Sequence, residues 1–289
     1  MNRIKYISNL MAIPALLLQV KRQIGRQQQF LQQEMGPLLH DLRQANDGSL
    51  DAEDFSKIEK YYGLAVPALL GEAYAMLRGS ALTEAERRAA TWLGATTGLF
   101  DDLFDRRGKD DAYIEALYRH AAEKHGANDN ERLFTTCISR AMEHAASSHL
   151  LLDAANRVHR AQIESRVQQR WGCSPQQVQS ITFEKGGSSV LFYMSVFYSE
   201  MPPQDQELYY RTGALLQLEN DLFDVYKDRE AGICTLVTMA HHIHPVRDLY
   251  LACWQQVGNA LAATRYAAAA KKRALRTICA IVSRGLVCL

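Results

Sequence analysis

Apolar residues recur along the chain at intervals of three and four, and no stretch alternates apolar with polar positions between turn residues. This pattern predicts an all-α protein. Punctuation falls at Pro37, Asp47-Gly48-Ser49, Gly79-Ser80, Gly108, Gly126 to Asp129, Trp171 to Pro175, Gly186-Gly187, Pro202-Pro203, Gly232 and Pro245, leaving segments of helical length between, about ten in all. Two starts are marked chemically. Asp51-Ala52-Glu53-Asp54 places small acidic residues where a helix begins, and Thr83-Glu84-Ala85-Glu86 has the T-x-x-E form of a capping box. No stretch has the composition of an interdomain linker and no internal repeat is visible, so residues 1–289 are expected to form one domain.

Composition adds exclusions. With 47% apolar and 22% charged residues the chain is neither disordered nor fibrous. Its 33 basic and 32 acidic residues leave a formal charge of +1, so no global field recruits nucleic acid or an anionic membrane. The six cysteines stand at wide intervals without a C-x-x-C pair, which reads as a set of reduced thiols in a cytoplasmic protein. The apolar run from Leu10 to Leu18, flanked by Lys21 and Arg22, is too short for a bilayer span and lacks a cleavage signal. It suits packing over the mouth of a site, with peripheral contact at a membrane surface as the second role open to it.

Candidate chemistry is concentrated in two acidic clusters, each at the end of an apolar helical stretch. In Asp101-Asp102-Leu103-Phe104-Asp105, Asp101 and Asp105 lie one turn apart on the same face, with Asp102 beside them. Carboxylates packed this closely repel unless a cation lies among them, and Mg²⁺ favours such oxygen ligands. In the second cluster Asn220, Asp224 and Asp228 are spaced by four and four and form one stripe, a candidate second metal site. Between them lies Lys185-Gly186-Gly187 inside an otherwise helical segment. Paired glycines cost roughly 1 kcal/mol each in a helix interior, so the sequence predicts a break whose free N–H groups, beside Lys185, suit a phosphate.

Taken together these motifs resemble the class I isoprenoid synthase superfamily. Asp101-Asp102-x-x-Asp105 matches its D-D-x-x-D motif. Asn220-Asp221-x-x-Asp224-x-x-x-Asp228 is similar to the cyclases' second metal motif, with Asp where Ser or Thr and Glu are usual. The stretch from Leu216 to Leu236 also looks like the second motif region of squalene and phytoene synthases, so bacterial large terpene synthases and that group are both close. The resemblance implies a helical bundle around a central cavity. It also implies that Asp101, Asp102, Asp105, Asn220, Asp224 and Asp228 hold about three Mg²⁺ ions clamping a prenyl diphosphate. Lys185, Lys227 and Arg229, with Arg106 and Arg107 as further candidates, would be the cationic partners of that diphosphate.

The activity implied is conversion of the resulting carbocation to a cyclic or linear terpene, with head-to-head condensation or a catalytically idle binding module as alternatives. Many members are homodimers. A carbocation needs a dry aromatic wall. Phe104 and Tyr193 are the residues chosen for it, among a set that includes Phe100, Phe183, Phe192, Phe197, Phe223, Tyr61 and Tyr62. The histidines supply no constellation: His241, His242 and His244 precede Pro245 in an expected loop. The basic run Lys271-Lys272-Arg273 belongs to an amphipathic helix and gives no support for nucleic-acid binding.

Overall fold

Local signals start and stop most of the helices. Asp51 accepts from the backbone N–H groups of Glu53 (2.7 Å) and Asp54 (3.0 Å), while the Asp54 carboxylate accepts from the Asp51 N–H at 2.9 Å. Thr83 and Glu86 complete the same reciprocal pair at 3.2 and 2.8 Å. Asn128, Ser147 and Ser174 each cap a helix by accepting from a backbone N–H three residues on. Gly79 ends its helix with φ +81°, a left-handed conformation that glycine adopts without a Cβ penalty.

A computed structural model of the protein describes residues 3–105, 109–123, 126–169 and 172–289. Among these residues there is no strand, and the chain is all-α as the periodicity predicts. Helix α1 spans Arg3–Glu34 and α2 Gly36–Ala45. Helix α3 covers residues 52–78 and includes two π-helical stretches, Lys57–Tyr62 and Val66–Gly71. Then follow α4 (Glu84–Asp105), α5 (Asp111–Arg119), α6 (Asp129–His144) and α7 (Ser148–Ser165), which ends in a 3₁₀ turn at Arg166–Gln169. The remainder is α8 (Pro175–Ser195), α9 (Pro203–Phe223), α10 (Val225–Glu230), α11 (Ile243–Ala263) and α12 (Ala268–Cys288).

The core runs between these helices. Leu93, Leu99 and Leu103 of α4 pack with Leu133, Phe134 and Ile138 of α6, and Val190 and Met194 of α8 with Leu215 and Leu218 of α9. No helix among the described residues is long and apolar enough to cross a membrane.

One expectation is corrected. Helix α8 is unbroken through Gly186 and Gly187, so its N–H groups there belong to the helix ladder and are not available to a phosphate. The glycines answer to a neighbouring helix. A Cβ on Gly186 would lie 2.2 Å from the Gly213 carbonyl oxygen of α9, and one on Gly187 would lie 2.3 Å from the Tyr210 ring. The expectation that the apolar run from Leu10 to Leu18 packs over the site mouth falls in part on side chains, through Ile13, that lie outside the described ones. Farther along helix α1, Gln27 donates to Gly63 O (3.3 Å) and to Thr91 Oγ1 (2.9 Å), and Glu34 accepts from Arg88 and Trp92, so this part packs on α3 and α4. Leu17 and Leu18 of α1 are exposed.

Candidate active site

Helices α3, α4, α7, α8 and α9 enclose a cavity of about 290 Å³. One end is polar, formed by Tyr62, Asp101, Gln162, Lys185, Gln217 and Asn220; the other is made by Leu70, Phe100, Val158, Val190, Phe192, Tyr193 and Leu216. Phe100 and Phe192 also border a small void of about 10 Å³ that reaches Tyr118 and Phe134.

The irregularity of α3 puts Tyr62 and Leu70 on this cavity. Pro67 has no N–H to continue an α-helical ladder, and the π-helical stretch Val66–Gly71 accommodates it. The preceding stretch, Lys57–Tyr62, packs tightly on α4 because α4 has glycines facing it. A Cβ on Gly94 would lie 2.6 Å from the Tyr62 carbonyl oxygen, and one on Gly98 would lie 2.7 Å from the Lys57 side chain.

Adjacent aspartates on α4 are turned about 100° apart and do different things. Asp101 lines the cavity and accepts from Gln162 Nε2 at 2.6 Å. Asp102 is buried toward α3, with Lys57 Nζ 3.6 Å from its carboxylate and the Asp54 carboxyl beside it. Burial, reinforced by Asp102, pushes Asp54 up to about 6 against the bond from the Asp51 N–H. The expectation that Asp102 shares the metal-facing side is therefore corrected: its direction on the helix takes it to α3. The side chain of Asp105 lies outside the described residues, as do Arg106 and Arg107.

On the opposite wall the predicted stripe forms although α9 ends at Phe223. Backbone bonds from Asp224 N to Asn220 O (2.9 Å) and from Asp228 N to Asp224 O (2.8 Å) carry its spacing across the junction into α10. The Asn220 amide donates to Asp224 at 3.2 Å. Burial and the Asp224 charge raise the Asp228 pKa, while Lys227 and Lys185 oppose the shift. Asp221, which the spacing argument did not select, is buried beneath the stripe and accepts from Gln217 (3.0 Å) and Thr182 (3.3 Å). Burial pushes it to about 6, with Asp228 adding to the shift and Lys185 opposing it. The spacing of four did not select Asp221, although it occupies a fixed position of the motif that the stretch resembles; its burial follows from the packing of α9.

Tyr62 ties the two walls together. Tyr62 is 36% exposed at the cavity rim, and partial desolvation together with the charges of Asp101 and Asp224 raises its phenol pKa to about 12. Lys185 joins them from α8, and no ion-pair partner for it is found among the described residues. Two further candidates are placed elsewhere. Lys227 and Arg229 are exposed on α10 and do not line the cavity. Phe104 packs between Phe100 and His159 at ring distances of 5.0 and 5.2 Å, under the Arg166 guanidinium, so Phe100 takes the place on the wall. His241 and His242 are exposed just before α11, whereas His244, expected in a loop, is exposed within its first turn beside Pro245, which the helix accommodates at that position.

Among the described residues no three Asp, Glu, His or Cys side chains converge closely enough to hold a metal by themselves. The donors are instead divided between two walls, Asp101 on one and Asn220, Asp224 and Asp228 on the other. Their oxygen chemistry and the charge repulsion between Asp224 and Asp228 are of the kind that a hard divalent cation relieves. Neither a protein-family model nor a curated protein matches the chain.

Proposed function

We propose that the protein is a Mg²⁺-dependent enzyme that ionises a prenyl diphosphate and converts the allylic cation to a terpene. One observation carries the reading: Asp101, Lys185 and Asn220 meet on the lining of a cavity whose remaining wall is largely apolar and aromatic. A molecule with a charged head and an isoprenoid tail matches that division. The volume sits at the lower end of the roughly 300–1,000 Å³ usual for ligand pockets.

Asp101, Asn220, Asp224 and Asp228 would hold the metal, and Mg²⁺ when bound supplies the positive charge that makes diphosphate a good leaving group. Gln162 fixes the Asp101 carboxylate by donating to its Oδ1. Lys185 Nζ binds the diphosphate directly as a mobile cation with three donors. Asp102 and Lys57 support α4 from behind. Leu70, Val158, Val190 and Leu216 exclude water from the tail, and the faces of Phe100, Phe192 and Tyr193 stabilise positive charge as it develops.

The test is incubation of the purified protein with Mg²⁺ and, separately, geranyl, farnesyl, geranylgeranyl and farnesylgeranyl diphosphates, followed by mass analysis of a hexane extract. A hydrocarbon or alcohol with the carbon count of its substrate, lost on chelation, is the expected result. A doubled carbon count would replace the reading with head-to-head condensation. No product from any substrate would replace it with an idle binding module.

A further inference from the structure

On the cavity wall, one helical turn from Asp101, Thr97 of α4 and Tyr193 of α8 meet with their hydroxyl oxygens 2.8 Å apart. The direction of that bond is settled by a third group. Thr97 Oγ1 also lies 3.0 Å from the Gly94 carbonyl oxygen, which can only accept, so the single Thr97 proton goes to Gly94. Thr97 must then accept from Tyr193, whose phenolic proton is held on the wall. Both residues line the cavity, and no donor among the described residues bonds the Tyr193 oxygen. What Tyr193 presents to the cavity is the negative side of its hydroxyl dipole together with the ring face.

We propose that Thr97 is a positioning residue that sets the polarity of Tyr193 and makes the apolar end of the cavity a site for an organic cation. This deepens the reading above, on which it rests for the identity of the natural cation. The site itself can be probed without turnover. A carbocation and an alkylammonium ion share the feature that matters, a positive charge with no proton to donate, and aromatic faces bind quaternary ammonium groups for the same electrostatic reason. Were the phenolic proton free, it would turn toward the cavity and oppose such a ligand.

The experiment is calorimetric titration with geranyltrimethylammonium and with its neutral isostere, in which a tert-butyl group replaces the trimethylammonium. The wild type should prefer the cation. Thr97→Val keeps the shape but removes the acceptor, and Tyr193→Phe removes the dipole. Each should reduce the preference by about tenfold, the scale of one hydrogen bond, while Thr97→Ser restores it and affinity for the neutral isostere stays unchanged across the set. Equal affinity for cation and isostere in the wild type, or an undiminished preference in both Thr97→Val and Tyr193→Phe, overturns the proposal. A cation preference with the predicted variant pattern, in a protein that converts no prenyl diphosphate, supports the proposal and refutes the enzymatic reading.

Discussion

Replacing Gly213 with Ala tests the joint that holds the cavity closed. The new Cβ would lie 2.1 Å from the Gly186 carbonyl oxygen, 2.6 Å from its carbon and 2.9 Å from the Gly187 Cα. All three are backbone atoms, so no side chain can swing aside. Reaching an ordinary contact of 3.4 Å requires α8 and α9 to part by about 1.3 Å. Overpacking of this kind costs about 3 kcal/mol, and the better helix propensity of Ala returns about 1 kcal/mol, leaving a net loss of about 2 kcal/mol. For a chain of 289 residues, unfolding with about 2.1 cal/mol/K per residue, that corresponds to a fall in Tm of roughly 3 °C. Gly258, in the middle of α11, is the control, because a Cβ there would meet nothing within 4 Å: Gly258→Ala should gain up to about 1 kcal/mol. Thermal and urea unfolding of both variants decides the matter. A Gly213→Ala protein as stable as the wild type would refute the close approach of α8 and α9.

Three more outcomes are expected. Asp101→Asn should lower turnover by about 10²–10³-fold, whereas Asp102→Asn, acting from behind α4, should stay within about tenfold of the wild type; equal losses in steady-state assays would contradict the different directions of the two side chains. Burial lowers the pKa of His159, so the unfolded chain binds the extra proton first and stability falls as pH drops from about 6.5 through the lowered native value. His159→Leu should remove that slope from urea unfolding measured across the range. Cys288 is exposed, whereas Cys137 is buried with its thiol pKa raised, so iodoacetamide at pH 8 should label Cys288 in the native protein and Cys137 only after unfolding.

The sites of these tests differ in how far the sequence anticipated them. Helix starts at Asp51 and Thr83 were legible because a cap and the N–H groups it binds lie within three residues of each other. The stripe Asn220, Asp224 and Asp228 was legible for the same reason, since a spacing of four is one helical turn whatever surrounds it. Lys185 and Tyr193 both line the cavity, although the helix break that singles out Lys185 in the sequence does not exist. The glycines beside Lys185 look like a helix breaker in isolation and serve as a contact surface for Gly213, far along the chain on the next helix.

The set of helices, most of their ends and the turn-by-turn alignment of acidic residues can be read along the chain, because all follow from hydrogen bonds and side-chain spacing between near neighbours. Tertiary structure decided that Asp101 faces the cavity while Asp102 is buried against Lys57, that Tyr62 stands between the two acidic walls, and that Phe100 and not Phe104 meets the cavity. These depend on which helix lies opposite and how closely it approaches. Such distances are set by packing among residues far apart in the chain, and periodicity carries no information about them.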